Sequence, residues 1–415
     1  MIRLPPCIAL TILIALPQVH AGELPKTEPE AVGFSAAKLA DLKPALQKLV
    51  DEGKISGGVT LAARHGKVAC VIPFGYRDLA AKTPMTEDTI FAIASMTKPV
   101  TCAAVLRLVD DGVIGLDDPV EKFLPELKAL RVLGDPQQDT KEAVATVPVK
   151  RSVTVRDLLS QTAGFAYGAL TAGGDRLGRS YAKAKVHEQG QKTIAELVNR
   201  LAQVPLAHQP GEGWTYGYSH DVLGRLVEAS TGQSFADYLR STILGPLDMH
   251  DTSFSVPDAK WERMATIYQA EDDGTLTPIA RTYGSETYFS GGSGLFSTAR
   301  DYSRFAQMLL NGGELDGRRI LKPETVAAMT TNQIGEHSAF GGRKYGLGLG
   351  LLLEPGPDGQ DSVLVRYYWG GVYSTHFWVD PRHDLLGITM TQMLPTDQGE
   401  ANRVFHMGVN DAIEK

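Results

Sequence analysis

The chain has 415 residues, 43% of them hydrophobic, and a formal net charge of −7 at pH 7. This is enough apolar material for a large buried core, and a mildly acidic chain without a basic stripe argues against a nucleic acid or an anionic membrane surface as partner. No Cys-x-x-Cys or His-Glu-x-x-His pattern occurs. The sequence therefore predicts a protein without a metal site or another cofactor.

The first 21 residues have the pattern of a cleavable signal peptide. Arg3 supplies a positive start, residues 7–16 are almost continuously apolar, and Val19-His20-Ala21 offers small residues at the usual cleavage spacing. A membrane anchor is the alternative, but the apolar run is shorter than the roughly 20 residues that span a bilayer. We therefore expect a periplasmic or secreted protein, cleaved near Ala21, without stable membrane insertion after cleavage.

The next elements are a predicted helix and a predicted hairpin. The stretch FSAAKLADLKPALQKLVDEG starts at Phe34 and has amphipathic spacing, with Ser35 as its N-cap and Gly53 at its end. The stretch GGVTLAARHGKVACVI predicts two strands joined at His65-Gly66. Cys70 lies in the second strand, and Cys102 lies in a later helix. The sequence leaves open whether the two are free buried thiols or a disulfide.

The stretch FAIASMTKPV, residues 91–100, contains one of three Ser-x-x-Lys motifs in the chain; the others start at Ser35 and Ser180. Residues three apart share a helical face, so the Lys98 amine can reach the Ser95 hydroxyl. Pro99 is tolerated only in a first helical turn, which independently predicts a helix start here. A lysine amine accepts a proton only where its surroundings favour the neutral form. On local evidence alone, a capping serine beside a lysine that extends to solvent is the favoured explanation of the motif.

The rest of the chain predicts helices followed by strands. Residues 155–262 hold several helical patterns, interrupted by a Gly-rich segment at 163–191 that we expect to be a mobile surface loop or lid and that contains the Ser180 motif. Four strands are predicted near the C-terminus, at 344–354, 365–371, 375–381 and 385–393. Strands at both ends predict an α/β fold in which the N- and C-terminal segments share a sheet and the region between them is mostly helical.

Five segments in order resemble the serine β-lactamase and penicillin-binding-protein superfamily. They are FAIASMTKPVTCAAVLRLVDDG, LLSQTAGF (158–165), PGEGWTYGYSHDVLGRLVE (210–228), GGSGLFSTARDYSRFAQMLLNGGELDG (291–317) and YYWGGVYSTHFWVDP (367–381). The resemblance covers about residues 30–405 and is strongest to class C β-lactamases and, more closely, family VIII carboxylesterases. It implies a β-lactamase/D,D-peptidase-like fold with one catalytic domain over 22–415. The α/β part would comprise about 30–95 and 290–415, and the helical part about 96–289.

The resemblance also implies roles for individual residues. Ser95 would be the nucleophile, with Lys98 and Tyr216 sharing proton transfer. The backbone N–H groups of Ser95 and Val372 would form the oxyanion hole. The residues implied in substrate binding are Trp369, Gly370, Gly371, Tyr218 and Gln161. His220 and His376 are expected to be structural, because no partner carboxylate can be assigned to either.

Two departures from the family pattern favour an ester as substrate. Tyr216-Gly217-Tyr218 lacks the asparagine that helps β-lactamases position the substrate amide, and Trp369-Gly370-Gly371 replaces the usual Lys-Thr-Gly. The second change removes a cation and a hydroxyl that would hold the carboxylate of a penicillin. The Gly-x-Ser-x-Gly elbow is absent, which argues against an ordinary α/β-hydrolase.

The sequence therefore predicts an exported serine hydrolase, a carboxylesterase for short acyl esters. A class C-like β-lactamase, a D-amino-acid peptidase and an acyltransferase are alternatives with the same chemistry. A non-catalytic receptor for cell-wall peptides or lactams is the alternative from another class. The expected partner is a small-molecule ester or lactam, and nothing in the sequence indicates an oligomeric state.

Overall fold

A computed structural model describes residues 23–141, 143–168, 174–186, 192–279, 284–356, 362–395 and 399–414. The predicted signal peptide lies outside the described residues, as do residues 169–173 and 187–191 of the predicted loop. None of the helices in the described ranges is long and apolar enough to cross a membrane.

The described α-helices are spread along the whole chain, with most of them between the two groups of long strands. In chain order they are α1 (Ala36–Ala40), α2 (Leu42–Asp51), α3 (Thr97–Asp110), α4 (Val155–Leu159), α5 (Gly174–Lys183), α6 (Ile194–Leu201), α7 (Ser219–Thr231), α8 (Phe235–Leu239), α9 (Ala299–Leu310), α10 (Pro323–Met329) and α11 (Glu400–Ala412).

The strands are long near both ends of the chain and short between them. In chain order they are β1 (Gly57–Arg64), β2 (Lys67–Asp78), β3 (Thr83–Pro84), β4 (Phe91–Ala92), β5 (Arg131–Leu133), β6 (Thr146–Pro148), β7 (Tyr268–Ala270), β8 (Leu276–Pro278), β9 (Phe296–Ser297), β10 (Glu314–Leu315), β11 (Arg318–Arg319), β12 (Lys344–Tyr345), β13 (Gly350–Pro355), β14 (Ser362–Gly370), β15 (His376–Asp380), β16 (Leu385–Thr391) and β17 (Met393–Leu394).

The main sheet confirms the predicted joining of the chain's two ends. Its eight strands run in the order β12-β13-β14-β15-β16-β1-β2-β3, and all neighbours are antiparallel. The N-terminal and C-terminal strands meet where β1 pairs with β16, from Gly58 opposite Thr391 to Arg64 opposite Leu385. The predicted hairpin is confirmed as well, since His65 and Gly66 both have positive φ, as a type I′ turn requires.

The sheet has a separate hydrophobic cluster on each face. On one face, Leu46 and Phe405 of the flanking helices pack with Phe74 and Trp378 of the sheet. On the other face, the cluster includes Phe377 of β15 and continues through α3 and α9. Adjacent residues of β15 thus point to opposite faces, as the period of a strand requires. The candidate site lies on the α3 face.

The prediction for residues 163–191 is wrong in its central part, because residues 174–183 form helix α5. The glycines around this helix lower its intrinsic propensity, which is why the sequence pattern was weak. Leu177 and Tyr181, four residues apart, are both buried and anchor one side of the helix. The Tyr181 hydroxyl also donates a hydrogen bond to the Ala166 carbonyl.

Both cysteines in the described ranges, Cys70 and Cys102, are free thiols. Burial raises the pKa of Cys70 to about 11. Burial likewise raises the pKa of Cys102, so neither thiol is a reactive thiolate at neutral pH. The reading of the two cysteines as small core residues therefore agrees with the structure.

Candidate active site

Ser95 sits in a tight turn between strand β4 and helix α3. The preceding residue, Ala94, has φ of +43°, a conformation that costs energy for a residue with a β-carbon. A 3₁₀ turn over Ala94–Met96 leads into α3, whose first turn contains Pro99 as predicted. The serine hydroxyl is therefore presented at the N-terminal end of a 14-residue helix, where free N–H groups and the helix dipole favour negative charge.

Two side chains converge on this hydroxyl. The Lys98 Nζ lies 3.1 Å from Ser95 Oγ, and the Tyr216 hydroxyl lies 2.6 Å from the same atom. The tyrosine is 121 residues away along the chain, so only the fold brings it here. The three residues predicted to act together do meet at one point.

Lys98 is fully buried, and its amine has two further partners. Nζ lies 2.7 Å from the Gly292 carbonyl oxygen and 3.2 Å from the Tyr167 hydroxyl. It also sits 4.5 Å from the centre of the Tyr216 ring. A charged amine would donate to all three oxygens around it. A neutral amine has only two hydrogens, so one of the two hydroxyls would then donate its proton to the nitrogen lone pair.

The backbone around Tyr216 is held against the segment that follows α4. The Thr215 N–H donates to the Gln161 carbonyl at 2.9 Å. A β-carbon on Gly217 would lie 2.0 Å from the Phe165 carbonyl oxygen, so only glycine fits between Tyr216 and Tyr218. This close approach explains the Tyr-Gly-Tyr sequence and fixes the position of the Tyr216 ring.

A buried carboxylate organises the loop that contacts Lys98. Ser290 Oγ donates to Asp221 Oδ1 at 2.6 Å, and the Gly292 N–H donates to the same oxygen at 3.3 Å. Burial raises the pKa of Asp221, while the Ser290 hydrogen bond and the charge of Lys98 act in the opposite direction. The Gly292 carbonyl is thereby oriented towards the Lys98 amine.

The predicted oxyanion donors lie where β14 ends and the serine turn begins. Within the described ranges, the N–H groups of Ser95 and Val372 have no hydrogen-bond partner. The Thr375 hydroxyl bonds to the Ile93 carbonyl at 3.3 Å, and a β-carbon on Gly371 would come within 2.4 Å of that same oxygen. These contacts tie the end of β14 to the turn that carries Ser95.

Aromatic rings of Trp369, Trp214 and Phe340 pack against Tyr216. Trp369 is almost buried, and its ring centre lies 5.8 Å from that of Tyr216. Trp214 stacks on Tyr216 at 6.1 Å. Phe340 packs edge-on against Tyr216 at 5.1 Å and is 59% exposed. This side of the site is therefore apolar and open to solvent through Phe340.

The other residues predicted to bind substrate lie further from the serine hydroxyl. Gln161 is fully buried, and its amide nitrogen lies 3.1 Å from His220 Nδ1. Tyr218 packs against the Tyr167 ring at 4.6 Å. Gly370 lies beside the ring of His376, which would contact a β-carbon placed there. Neither histidine contacts Ser95, whose side-chain partners within the described ranges are Lys98 and Tyr216.

The sequence did not indicate three residues near Lys98. Tyr167 and Gly292 contact its amine, and Asp221 bonds to the loop that contains Gly292. Burial raises the pKa of Tyr167 well above its usual range, and the neighbouring Asp221 adds to this shift. Tyr167 lies two residues beyond the matched segment 158–165, and Gly292 lies inside the matched segment 291–317. Both residues therefore lie inside or next to a segment that resembles the family, but the Gly-rich sequence around Tyr167 suggested a loop.

A cavity of about 450 Å³ is lined in part by the loop that contains Gly292, through Ser290 and Gly294. Its lining includes Ser293 and Tyr373, the residues that follow Gly292 and Val372. Most of the remaining lining is apolar, from Phe254, Ile267, Ile279 and Phe296. This volume lies in the range of small-molecule pockets.

Nowhere in the described ranges do three His, Cys, Asp or Glu side chains form a group that could hold a metal ion.

The fold and the site together define a serine hydrolase of the β-lactamase-like class. A β-lactamase family model matches residues 42–407. Protein Rv1367c of Mycobacterium tuberculosis is 36% identical, over 85% of this chain and 89% of its own length. Esterase EstB of Burkholderia gladioli is 33% identical, over 93% of this chain and 98% of its own. The solved structure of EstCE1, described as a hydrolase with promiscuous acyltransferase activity, is 26% identical and superposes with a TM-score of 0.75, covering 91% of this chain and 99% of that one.

The chain belongs to the β-lactamase family. The match spans strands of the main sheet at both ends of the chain and the helices between them.

Proposed function

We propose that this protein is an exported carboxylesterase that hydrolyses short-chain acyl esters through a Ser95 acyl-enzyme. The observation that supports this most is the convergence of the Lys98 amine, at 3.1 Å, and the Tyr216 hydroxyl, at 2.6 Å, on Ser95 Oγ. A serine hydroxyl is a weak nucleophile until a neighbouring group takes its proton. Here two such groups are within hydrogen-bond distance.

In acylation, Ser95 Oγ bonds to the ester carbonyl carbon while its proton passes to the Lys98–Tyr216 pair. The carbonyl oxygen becomes an oxyanion and accepts hydrogen bonds from the N–H groups of Ser95 and Val372. The C–O bond to the alcohol then breaks, and the pair returns the proton to the leaving oxygen. A water molecule attacks the acyl-enzyme in the same way, so the pair acts first as base and then as acid in each half-reaction.

An ester suits the site better than an anionic lactam. Trp369 occupies the place where the family pattern has a lysine, and its ring faces Tyr216. The 450 Å³ cavity next to the Gly292 loop is lined mainly by apolar residues. Burying a carboxylate against such surfaces without a cation would be costly, whereas an acyl chain gains from the same burial. EstB, which aligns over nearly the whole chain, is named an esterase.

Acyl transfer to an alcohol is the second candidate function. EstCE1 is described as a hydrolase with promiscuous acyltransferase activity. In this chain, the exposed Phe340 ring beside Tyr216 offers an apolar surface near the base. An acceptor alcohol held there would compete with water for the acyl-enzyme.

The test is a turnover panel of p-nitrophenyl acetate, butyrate and laurate beside the lactam nitrocefin. We expect acetate and butyrate to be hydrolysed with the highest kcat/KM and nitrocefin to be turned over far more slowly. Nitrocefin turnover above that of every ester would reverse the assignment to a β-lactamase. Adding a primary alcohol and measuring the new ester against free acid separates transfer from hydrolysis.

A fluorophosphonate probe separates an enzyme from a non-catalytic receptor. We expect mass spectrometry to find one adduct, on Ser95, in folded protein and none after heat denaturation. A folded protein that forms no adduct would be a binder of cell-wall peptides or lactams.

Export is tested separately by expressing the full chain in a bacterium and measuring the mass of the protein in the periplasm and medium. Cleavage near Ala21 is expected.

A further inference from the structure

The sheet has a second pocket on the face opposite Ser95. It has a volume of about 310 Å³ and lies between β13, β14, β15 and α11. Side chains alternate along a strand, so Trp369 faces the candidate active site while Arg366 and Tyr368 of the same strand point into this pocket. The pocket is therefore separated from the ester site by the sheet.

Three arginines line this pocket: Arg343, Arg366 and Arg403. Arg366 is half-buried, and its Nε is fully buried without a hydrogen-bond partner. Its guanidinium lies 5.1 Å from the centre of the Trp378 ring. Within the described ranges no carboxylate or carbonyl accepts a hydrogen bond from it. Burial lowers the pKa of Arg366, and the nearby charges of Arg382 and Arg343 act in the same direction, against Asp380.

Arg304 is a buried arginine of the same chain whose guanidinium does have hydrogen-bond acceptors. Its side chain is 2% exposed and forms an ion pair with Asp316 and a hydrogen bond to the Leu247 carbonyl. Burying a polar group without a partner costs free energy, so buried guanidinium groups are normally paired in this way. Arg366 lacks the acceptors that Arg304 has.

Among the described residues no carboxylate lines the pocket, and three carboxylates around it contact other groups. Asp380 accepts hydrogen bonds from the His383 ring at 3.0 Å and from the Arg382 N–H at 3.0 Å. Glu354 pairs with Arg382 at 3.4 Å. Glu400 lies 3.1 Å from Lys54 and only 4.0 Å from Arg403. The pocket thus holds an excess of positive charge.

We propose that this pocket binds a small phosphorylated molecule, with the phosphate group held by Arg366 and flanked by Arg343 and Arg403. Planar guanidinium groups match the oxygens of phosphate in paired hydrogen bonds, and three of them can balance a dianion. The Asn402 amide is a neutral donor at the same wall, and Tyr368 and His376 also line the pocket beside the organic part. A volume of about 310 Å³ suits a phosphate with a small organic group.

The experiment measures the binding of inorganic phosphate and glycerol 1-phosphate to the full-length folded protein by calorimetry, at an ionic strength held constant with sodium chloride. We expect saturable binding of both, with Arg366→Gln weakening the affinity about tenfold or more. Arg403→Gln, an exposed position, should weaken it several-fold without disturbing the fold. Arg318→Gln, an exposed arginine on β11, is the matched control and should bind as the unchanged protein does.

Circular dichroism and thermal unfolding establish that each variant is folded. The proposal is overturned if neither phosphate compound binds up to its solubility limit, or if Arg366→Gln and Arg403→Gln bind both as tightly as the unchanged protein. It is also overturned if succinate or acetate binds as tightly as phosphate, because the pocket would then be an unspecific cationic surface. None of these readouts depends on ester hydrolysis.

Discussion

The motif that starts at Ser95 and the one that starts at Ser180 have the same residue spacing but different surroundings. Ser95 Oγ is contacted by Lys98 and by Tyr216, and Lys98 is fully buried. Ser180 Oγ instead donates back to the Arg176 carbonyl at 3.1 Å, one turn earlier in helix α5, and Lys183 is exposed to solvent.

The difference lies in residues distant in sequence. Around Ser95, a tyrosine 121 residues away and a carbonyl 194 residues away from Lys98 complete the site. The Ser180 hydroxyl instead bonds to a carbonyl of its own helix, as serines in the middle of a helix often do. A Ser-x-x-Lys spacing therefore states only that the two side chains can meet. Their chemistry depends on a third group and on exclusion of water.

The largest expected effect separates the two serines. Ser95→Ala should lower kcat/KM for p-nitrophenyl butyrate by at least about 10⁴-fold, because no acyl-enzyme can form. Ser180→Ala, the matched control, should leave it unchanged. Initial rates with both variants at equal folded concentration measure this. Full activity in Ser95→Ala would remove the proposed mechanism.

The two lysines give the next largest contrast. Lys98→Met keeps an unbranched side chain of nearly the same length but removes the amine, and it should lower kcat by about 10³-fold, as expected for the loss of a proton-transfer group. Lys183→Met should have no effect, since that side chain is exposed. The measurement is kcat and KM for the same ester, with thermal unfolding as the check on folding. Equal losses in both variants would contradict the distinction drawn between the motifs.

Much of the local structure around these motifs could be predicted from the sequence. Pro99 marked the first turn of α3, His65-Gly66 marked the hairpin, and Ser35 marked a helix cap, because each depends on backbone preferences of a few neighbouring residues. The joining of the N- and C-terminal strands was predicted from the order of elements. These features require no knowledge of long-range packing.

The surroundings of Lys98 could not be predicted in the same way. The Tyr167 and Gly292 contacts join residues 69 and 194 positions apart, and no local pattern encodes such a pair. Helix α5 was missed for a related reason, since burial of Leu177 and Tyr181 outweighs the low helix propensity of its glycines. The family resemblance supplied Tyr216, but it gave no role to Asp221.

The two tyrosines near Lys98 should differ in effect. Tyr216→Phe removes the hydroxyl that contacts Ser95 Oγ at 2.6 Å and should lower kcat about 10²-fold. Tyr167→Phe removes a hydroxyl that contacts the Lys98 amine at 3.2 Å and not Ser95 Oγ, so its loss should be about tenfold. Single-turnover and steady-state rates with p-nitrophenyl butyrate measure both. A larger loss in Tyr167→Phe would show that Tyr167, and not Tyr216, is the more important partner of Lys98 in proton transfer.

The smallest expected effect concerns the first motif, at Ser35, whose hydroxyl accepts a hydrogen bond from the Lys38 N–H and caps helix α1. Its lysine points away, with Nζ donating to the Asp411 carbonyl at 2.8 Å. Ser35→Ala should therefore cost about 1 kcal/mol of unfolding free energy and leave kcat/KM unchanged. Ser35→Asp, which can still cap the helix, should restore most of the loss in a urea titration. If Ser35→Ala lowered activity at full stability, this serine would act in the chemistry and the surroundings of a Ser-x-x-Lys motif would not decide its role.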